Sequence, residues 1–333
     1  MIAVINWRWL RVLPVLIFAF YGSLSYSNSY GGHPAAVKLA AELVAEHGFD
    51  ATALAKVFAR AERQQSILDA ISRPAEKSKA WHEYRDIFLT EKREARGIDF
   101  YYLHRHTLQR ASREFGVPAE IIVAIMGVET FYGRITGSYR VIDALTTLAF
   151  DYPRRSAFFS RELKQFLILS REQGLDPLTL KGSYAGAMGF GQFMPSSYRS
   201  YAVDFDGDGK VDIWANPVDA IGSIANYFKR HGWQPGQPVT SAVQVVGSPP
   251  ADLFNNGLKP RLSVAEFTAA GITTASSLPG DALATAMQFE GKSGPEYWMG
   301  LHNFYVITRY NHSAMYAMSV YQLSQRILQQ INP

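Results

Sequence analysis

The sequence predicts a mainly α (α+β) protein, that is, a helical protein with a small region of β-strands. Three observations support this class: helical spacing of apolar residues before residue 116, an unbroken apolar segment after Pro118, and short β-prone runs between residues 234 and 300. Hydrophobic residues make up 47% of the 333 residues, enough to form a core without metals or disulfides. The chain has no cysteine, so disulfides, thiolate nucleophiles and cysteine-ligated zinc are excluded.

The first residues predict export. Arg8 and Arg11 precede an apolar run over residues 12–21, and small residues follow it. This order is typical of a secretory signal, here residues 1–27. An uncleaved N-terminal anchor is the alternative, although the run is short for a membrane span and contains Pro14. Without cysteine, a lipoprotein anchor is excluded.

Most of the remaining chain is predicted to be helical. Residues 35–115 are expected to form a helical flanking domain, joined by a C-terminal helix over residues 314–331, because apolar residues recur there at helical spacing. Residues 234–300 are expected to form a small β-containing subdomain, since Pro, Gly and Ser increase and β-prone runs such as residues 284–289 occur.

A carboxyl group ends the apolar segment. Pro118 and Glu120 mark a helix start, residues 121–128 are apolar throughout, and Glu129 follows. A helix that is apolar on every side is normally buried, and burial disfavours a charged carboxylate. We therefore expect the pKa of Glu129 to be raised, which suits a general acid that protonates a glycosidic oxygen. An ion pair with Arg134, or exposure at the helix end, is the alternative.

A glycine-rich stretch over residues 182–195 favours close approach of the backbone to a bulky ligand. Within it, the amide of Gln192 suits sugar hydroxyl and acetamido groups, and Met194 offers an adaptable apolar contact. Tyr310 and Asn311, ahead of the last helix, would stack on a sugar and hydrogen-bond to it. A packing turn is the alternative for any single glycine of the stretch, though less so for the whole stretch. Taken alone, residues 309–313 are better explained as a capped helix start.

Four sequence blocks, in this order, resemble the lytic murein transglycosylase B family of lysozyme-like enzymes. The blocks are residues 127–130 (Gly-Val-Glu-Thr), 151–155 (Asp-Tyr-Pro-Arg-Arg), 182–189 and 303–313. The likeness runs from about residue 35 to the end of the chain. It implies a lysozyme-like catalytic core over residues 116–233, with residues 301–313 returning to the active site.

The resemblance implies a peptidoglycan lytic transglycosylase. Such an enzyme cleaves the β-1,4 bond between N-acetylmuramic acid and N-acetylglucosamine and forms 1,6-anhydromuramic acid, with one Glu, here Glu129, as acid and then base. The sequence shows no obvious second carboxylate of the kind that most hydrolases use, although Asp143 and Asp151 lie nearby. By position, the resemblance assigns to the substrate groove Ser183, Gln192, Met194, Tyr227, Tyr310, Asn311 and Tyr84.

Residues 204–212 fit the opening of an EF-hand loop. Position 12 of such a loop is Ala215 instead of Glu, so an aspartate on the following helix is expected to complete the site. Close carboxylates repel one another without a cation, and a set of oxygen ligands favours a structural Ca²⁺ over Mg²⁺. A metal-free turn is the alternative. The predicted ligands are Asp204, Asp206, Asp208, Lys210, Asp212 and Asp219.

The formal net charge of +4 favours an acidic partner, whether a cell-wall polymer, an anionic membrane surface or nucleic acid. Basic residues are not interleaved with aromatic residues as in a nucleic-acid groove, so we expect no nucleic-acid partner. The family resemblance implies a periplasmic enzyme that acts on glycan strands. We expect a monomer without an organic cofactor, with membrane association through the N-terminus as an option. Two rivals stay open: a hydrolytic muramidase on the same scaffold, and a calcium-dependent peptidoglycan-binding protein without catalysis.

Overall fold

The computed structural model describes residues 29–72 and 79–332, and helices dominate this part of the chain. Its fourteen α-helices and seven β-strands form two helical clusters and one larger antiparallel sheet, so the predicted mainly α (α+β) class is confirmed. The predicted signal, residues 1–27, lies outside the described residues. No helix within those ranges has an apolar stretch long enough to cross a bilayer.

One helical cluster combines the first helices with helices from the middle of the chain. Leu43, Phe58 and Phe166 are among the side chains buried in its core. Asp50 caps the second helix by accepting a 2.6 Å hydrogen bond from Ala53 N, which explains why the helix begins at residue 51. The helices are α1 (Pro34–His47), α2 (Ala51–Arg60), α3 (Gln65–Ile71), α8 (Val141–Asp151), α9 (Ser156–Glu172) and α10 (Pro195–Tyr201).

The second cluster surrounds the apolar helix. Its helices are α4 (Trp81–Phe88), α5 (Glu91–Leu103), α6 (Arg105–Phe115), α7 (Ala119–Thr130), α11 (Pro217–Arg230), α13 (His302–Tyr310) and α14 (Ala314–Ile331). Four of them, α5, α6, α11 and α14, pack against α7. This central position buries every residue from 121 to 128, as the all-apolar pattern predicts.

The predicted helical flank contributes to both clusters. Helices α1 and α3 pack on α9 and α8, whereas α4, α5 and α6 pack on α14, α7 and α11. The C-terminal helix begins at residue 314, as expected, and contacts α4 and α5 in addition to α7. The domain boundaries expected near residues 115, 233 and 300 stay predictions.

The sheet occupies the region where the composition predicts strands. All its strand pairs are antiparallel, in the order β4-β6-β7-β3-β5. The strands are β3 (Thr240–Val245), β4 (Leu262–Ser263), β5 (Ile272–Thr274), β6 (Leu283–Gly291) and β7 (Gly294–Gly300), and a short helix, α12 (Val264–Ala269), follows β4. A separate two-stranded pair joins β1 (Tyr139–Arg140) to β2 (Lys181–Gly182).

Candidate active site

Glu129 lies in the last turn of α7 and is half-buried. The hydroxyl of Tyr316, from the first turn of α14, donates a 2.5 Å hydrogen bond to Glu129 Oε1. Tyr316 is itself only 2% exposed, so packing fixes this donor against the carboxyl. Tyr316 was not predicted as a site residue, because an aromatic residue near the start of a buried helix looks like an ordinary core residue.

The chain turns sharply after α7 through three residues in the left-handed region. Phe131, Tyr132 and Gly133 have φ angles of 51°, 59° and 81°. Such angles are uncommon for residues other than glycine, so this turn places backbone strain beside Glu129. Packing compensates for it: a Cβ added to Gly127 would lie 2.6 Å from Tyr132 Oη, so α7 needs glycine there to admit the ring.

The glycine-rich stretch folds into tight turns that are tied to the end of α7. Thr130 Oγ1 donates to Phe190 O at 2.8 Å. Gln192, which has a φ of 50°, donates through Nε2 to Thr136 O at 3.1 Å and to Gly189 O at 3.0 Å. These bonds orient the amide, so that its oxygen Oε1 is the acceptor it presents to a ligand.

Ser183 and Met194 lie towards the two ends of this stretch, and both are half-buried. Ser183 Oγ accepts a 3.1 Å hydrogen bond from Ala187 N, which closes the first turn. Met194 immediately precedes α10 and packs against the cluster that contains α8 and α9. Each therefore combines a fixed backbone position with some exposed surface.

Tyr310 is the last residue of α13, Asn311 follows it, and this end of the helix meets the glycine-rich stretch. The Tyr310 hydroxyl donates a 2.6 Å hydrogen bond to Gly191 O. A Cβ on Gly191 would lie 2.8 Å from Tyr310 Oη, which explains the glycine at this position. Desolvation, together with the charge of Glu129, raises the pKa of Tyr310 well above its ordinary value, so the phenol stays protonated. Asn311 follows directly and is half-buried.

Two of the predicted groove residues, Tyr227 and Tyr84, are buried rather than half-buried. Tyr227 is 6% exposed, its hydroxyl donates to Arg309 O at 2.6 Å, and its ring centroid lies 4.8 Å from that of Tyr310. Tyr84 is 3% exposed and belongs to the same buried cluster as Tyr316. They therefore support Tyr310 and Tyr316, and direct contact with a ligand stays a prediction for both.

The two carboxylates that lie near Glu129 in sequence are engaged elsewhere. Arg140 Nε donates to Asp143 at 2.7 Å, and the Tyr30 hydroxyl donates to Asp151. Both aspartates belong to α8, in the cluster that does not contain α7.

The acidic loop after α10 gathers three carboxylates. Oxygen atoms of Asp204, Asp206 and Asp219 all lie within 4.8 Å of one another. Asp219, on α11, is fully buried and accepts hydrogen bonds from Phe205 N at 2.7 Å and Asp212 N at 2.8 Å. Burial raises the pKa of Asp219. A bound cation would offset the desolvation that disfavours the charged carboxylate, and the all-oxygen donor set fits a hard cation such as Ca²⁺.

The other two predicted aspartate ligands shape the loop in this structure. Asp208 accepts a 2.8 Å hydrogen bond from Lys210 N, and Asp212 accepts from Trp214 N at 2.8 Å and Ala215 N at 2.9 Å. All five predicted aspartates thus accept hydrogen bonds from backbone N–H groups, and three of them, Asp204, Asp206 and Asp219, also converge.

Comparison with known proteins identifies the family. The model of the transglycosylase SLT domain matches residues 32–325, nearly the whole described chain. The chain belongs to the transglycosylase SLT domain family. The membrane-bound lytic murein transglycosylase B of Escherichia coli (strain K12) is 44% identical over 313 residues, which are 91% of this chain and 85% of that protein.

Solved structures of the family agree. The soluble lytic transglycosylase SltB1 from Pseudomonas aeruginosa is 55% identical, with a TM-score of 0.86 over 90% of this chain and all of that one. The E. coli lytic transglycosylase Slt35, solved in complex with calcium, is 44% identical, with a TM-score of 0.83 over 92% of this chain and 98% of that one.

Family membership confirms three predictions from the sequence. The chain has the lysozyme-like fold of the lytic transglycosylases, it is an enzyme, and its activity is that of a peptidoglycan lytic transglycosylase. The non-catalytic binding protein considered as a rival is thereby set aside. The family does not by itself say which residues of this chain carry the reaction.

Proposed function

We propose that Glu129 is the single acid/base of this transglycosylase. Its carboxyl protonates the glycosidic oxygen between N-acetylmuramic acid and N-acetylglucosamine, so that the bond from the muramic acid C1 to this oxygen breaks. The resulting carboxylate takes the proton of the muramic acid 6-hydroxyl, whose oxygen bonds to the same C1. Glu129 ends protonated, and the product is 1,6-anhydromuramic acid, formed without water.

The observation that carries this proposal is the half-buried carboxyl at the end of α7, to which the buried Tyr316 donates a hydrogen bond. Most hydrolytic glycosidases place a second carboxylate about 5–9 Å away, whereas Asp143 and Asp151 are tied to other partners. The bond from Tyr316 holds the Glu129 carboxyl in one orientation. A fixed carboxyl suits two successive proton transfers at one sugar.

The proposed sugar-binding surface consists of the half-buried residues around Glu129. Gln192 Oε1 would accept from a hydroxyl or acetamido N–H, and Met194 would contact an apolar sugar face. Tyr227 and Tyr84 would act indirectly, by holding Tyr310 and Tyr316 in position. The residues assigned to direct contact are Ser183, Gln192, Met194, Tyr310 and Asn311.

Mass spectrometry of digested peptidoglycan tests the role of Glu129. We expect anhydromuramyl products from the wild type and a rate lower by roughly 10²–10⁴-fold for Glu129→Gln, because an amide cannot transfer the proton. Glu120→Gln is the matched control, since Glu120 is also half-buried on α7 but lies in its first turn. An undiminished rate for Glu129→Gln would overturn the proposal, and reducing-end products would favour the muramidase.

We also propose that the acidic loop holds a structural Ca²⁺. Asp204, Asp206 and Asp219 supply converging carboxylates, and the backbone carbonyl of Lys210, with Asp208 and Asp212, is expected to complete the set. The calcium complex of the E. coli relative supports this proposal. The cation would supply only charge, tying the loop to α11 and hence to Tyr227.

Thermal unfolding with and without Ca²⁺ tests the metal site. Saturating Ca²⁺ should raise the Tm by several degrees, since a ligand at a concentration about 100 times its Kd stabilises the folded state by about 2–3 kcal/mol. Asp206→Asn should remove most of this increase, whereas Asp281→Asn, an exposed aspartate elsewhere, should keep it. An unchanged Tm in millimolar Ca²⁺ would contradict the site.

This is an enzyme of the cell envelope, and its E. coli relative is called membrane-bound. We propose the periplasm as its location, with residues 1–27 as the export signal or anchor, and a monomer as its working form. Peptidoglycan glycan strands are its substrate, and we propose no nucleic-acid partner.

A further inference from the structure

Arg93 joins the end of α7 to two neighbouring helices. It lies in the first turn of α5 and is half-buried. Its Nε donates a 3.0 Å hydrogen bond to Gly127 O, two residues before Glu129, and its Nη1 donates to Ile87 O in the last turn of α4. Arginine side chains commonly donate to carbonyls in the last turn of a helix, where intrahelical donors run out. Arg93 therefore binds the turn of α7 that carries Glu129.

The Arg93 side chain also contacts the turn that follows Glu129. Its guanidinium carbon lies 5.1 Å from the ring centroid of Phe131 and 5.3 Å from that of Phe88. A guanidinium within about 6 Å of a ring centroid is attracted to the face of the ring. Phe131 has a φ of 51°, a strained value for a residue with a side chain. One guanidinium therefore contacts residues on both sides of Glu129.

The backbone of Arg93 makes a further connection to the same turn. Its carbonyl accepts a 2.9 Å hydrogen bond from the Tyr132 hydroxyl. A Cβ added to Gly97, about one turn further along α5, would lie 2.5 Å from Tyr132 Oη, so this helix needs glycine there to admit the ring. Arg93 and Gly97 thus hold α5 against the strained turn that follows Glu129.

The contacts of Arg93 suit arginine and no other side chain. Desolvation lowers the pKa of Arg93, but the pKa of a guanidinium stays far above neutral pH, so the group is charged. Its planar set of donors reaches two backbone carbonyls while it lies against two rings. The ammonium of lysine is a single point of donors and would not satisfy both carbonyls in this way.

We propose that Arg93 is a positioning residue for Glu129. It holds the last turn of α7 and the strained turn after it in one arrangement, so that the carboxyl meets first the glycosidic oxygen and then the 6-hydroxyl. The proposal rests on the function proposed above, because it assigns both proton transfers to Glu129. A misplacement of about 1 Å at a reacting group costs about 100-fold in rate. Arg93 acts through Glu129 and is assigned no contact with the substrate.

Steady-state kinetics on soluble glycan strands, normalised to the folded fraction measured by circular dichroism, test this role. We expect Arg93→Met to lower kcat for the anhydro product roughly 10- to 100-fold and to change KM less than about threefold, because the sugar-binding surface is retained. Arg93→Lys keeps the charge and one carbonyl contact, so its kcat should fall less, by roughly three- to tenfold.

Arg171→Met is the matched control. Arg171 Nη1 donates a 2.8 Å hydrogen bond to His47 O at the end of α1, and its guanidinium carbon lies 3.8 Å from the ring centroid of Phe49, in the other helical cluster. It makes the same two kinds of contact at a helix end that does not carry Glu129, so kcat should change less than about twofold.

Wild-type kcat in either Arg93 variant would overturn the proposal. A loss through KM alone would also overturn it, because Arg93 would then serve substrate binding. An equal loss of kcat in Arg171→Met would overturn it as well, since the effect would then be general to such contacts. None of these results touches the proposed reaction, which fails only if Glu129→Gln stays active or the products are not anhydro sugars.

Discussion

The catalytic carboxyl and the carboxylates of the acidic loop differ in how far along the chain their hydrogen-bond donors lie. Glu129 receives its hydrogen bond from Tyr316, 187 residues further along the chain. In the acidic loop, Asp204 accepts from Gly207 N and Gly209 N, only three and five residues away. The difference shows that the loop can acquire its shape locally, as Asx turns do, whereas the catalytic carboxyl is placed only when the helices pack.

Asp219 links the two regions. It is buried on α11, the helix that also carries Tyr227, yet its hydrogen bonds go to loop residues Phe205 and Asp212. Tyr227 in turn packs on Tyr310 beside Glu129. The loop has a second connection to this region, since Phe190 N donates a 2.9 Å hydrogen bond to Ile213 O. Asp219 is the buried carboxylate among these links, so changes in the exposed loop aspartates should matter less.

The largest expected effect on stability in this comparison comes from Asp219→Ala. It leaves two N–H groups without their acceptor, and each buried unpaired group costs about 1–3 kcal/mol. We expect the free energy of unfolding, measured with urea in calcium-free buffer, to fall by about 2–4 kcal/mol. Asp206→Ala should cost less than about 1 kcal/mol, since Asp206 is exposed. Equal losses of unfolding free energy in the two variants would contradict the proposed difference between the buried and the exposed aspartates.

A smaller effect, confined to activity, is expected from Tyr316→Phe. The ring remains to fill its place, but the hydrogen bond to Glu129 is lost, and hydrogen bonds to charged groups contribute about 1.5–3 kcal/mol. The rate of anhydro product formation should fall roughly 10- to 100-fold without loss of the folded state. Tyr198→Phe is the control, because that buried tyrosine loses a similar 2.7 Å bond to Val211 O in the other helical cluster. Similar rates in both variants would show that Tyr316 does not serve the carboxyl.

Features that depend on local sequence were predicted well. The apolar run over residues 121–128 predicted a buried helix that ends near Glu129, and α7 ends at Thr130. The β-prone run over residues 284–289 lies within β6. Both follow from periodicity and composition, which act over a few residues.

Features that depend on packing between distant segments were not predicted from the sequence. Tyr316 carries no local sign that it faces Glu129, and the division of the flanking helices between two clusters depends on which buried faces meet. In the acidic loop, spacing alone could not show that Asp208 and Asp212 bond to backbone N–H groups while Asp204 and Asp206 converge on Asp219.

The central claim is that one carboxyl performs both proton transfers and that water takes no part. Digestion of peptidoglycan by the wild-type enzyme in oxygen-18 water, followed by mass spectrometry, tests it most directly. We predict products that end in 1,6-anhydromuramic acid and contain no oxygen-18. Reducing-end muramic acid labelled with oxygen-18 at C1 would contradict the claim and require a second group near Glu129 that activates water.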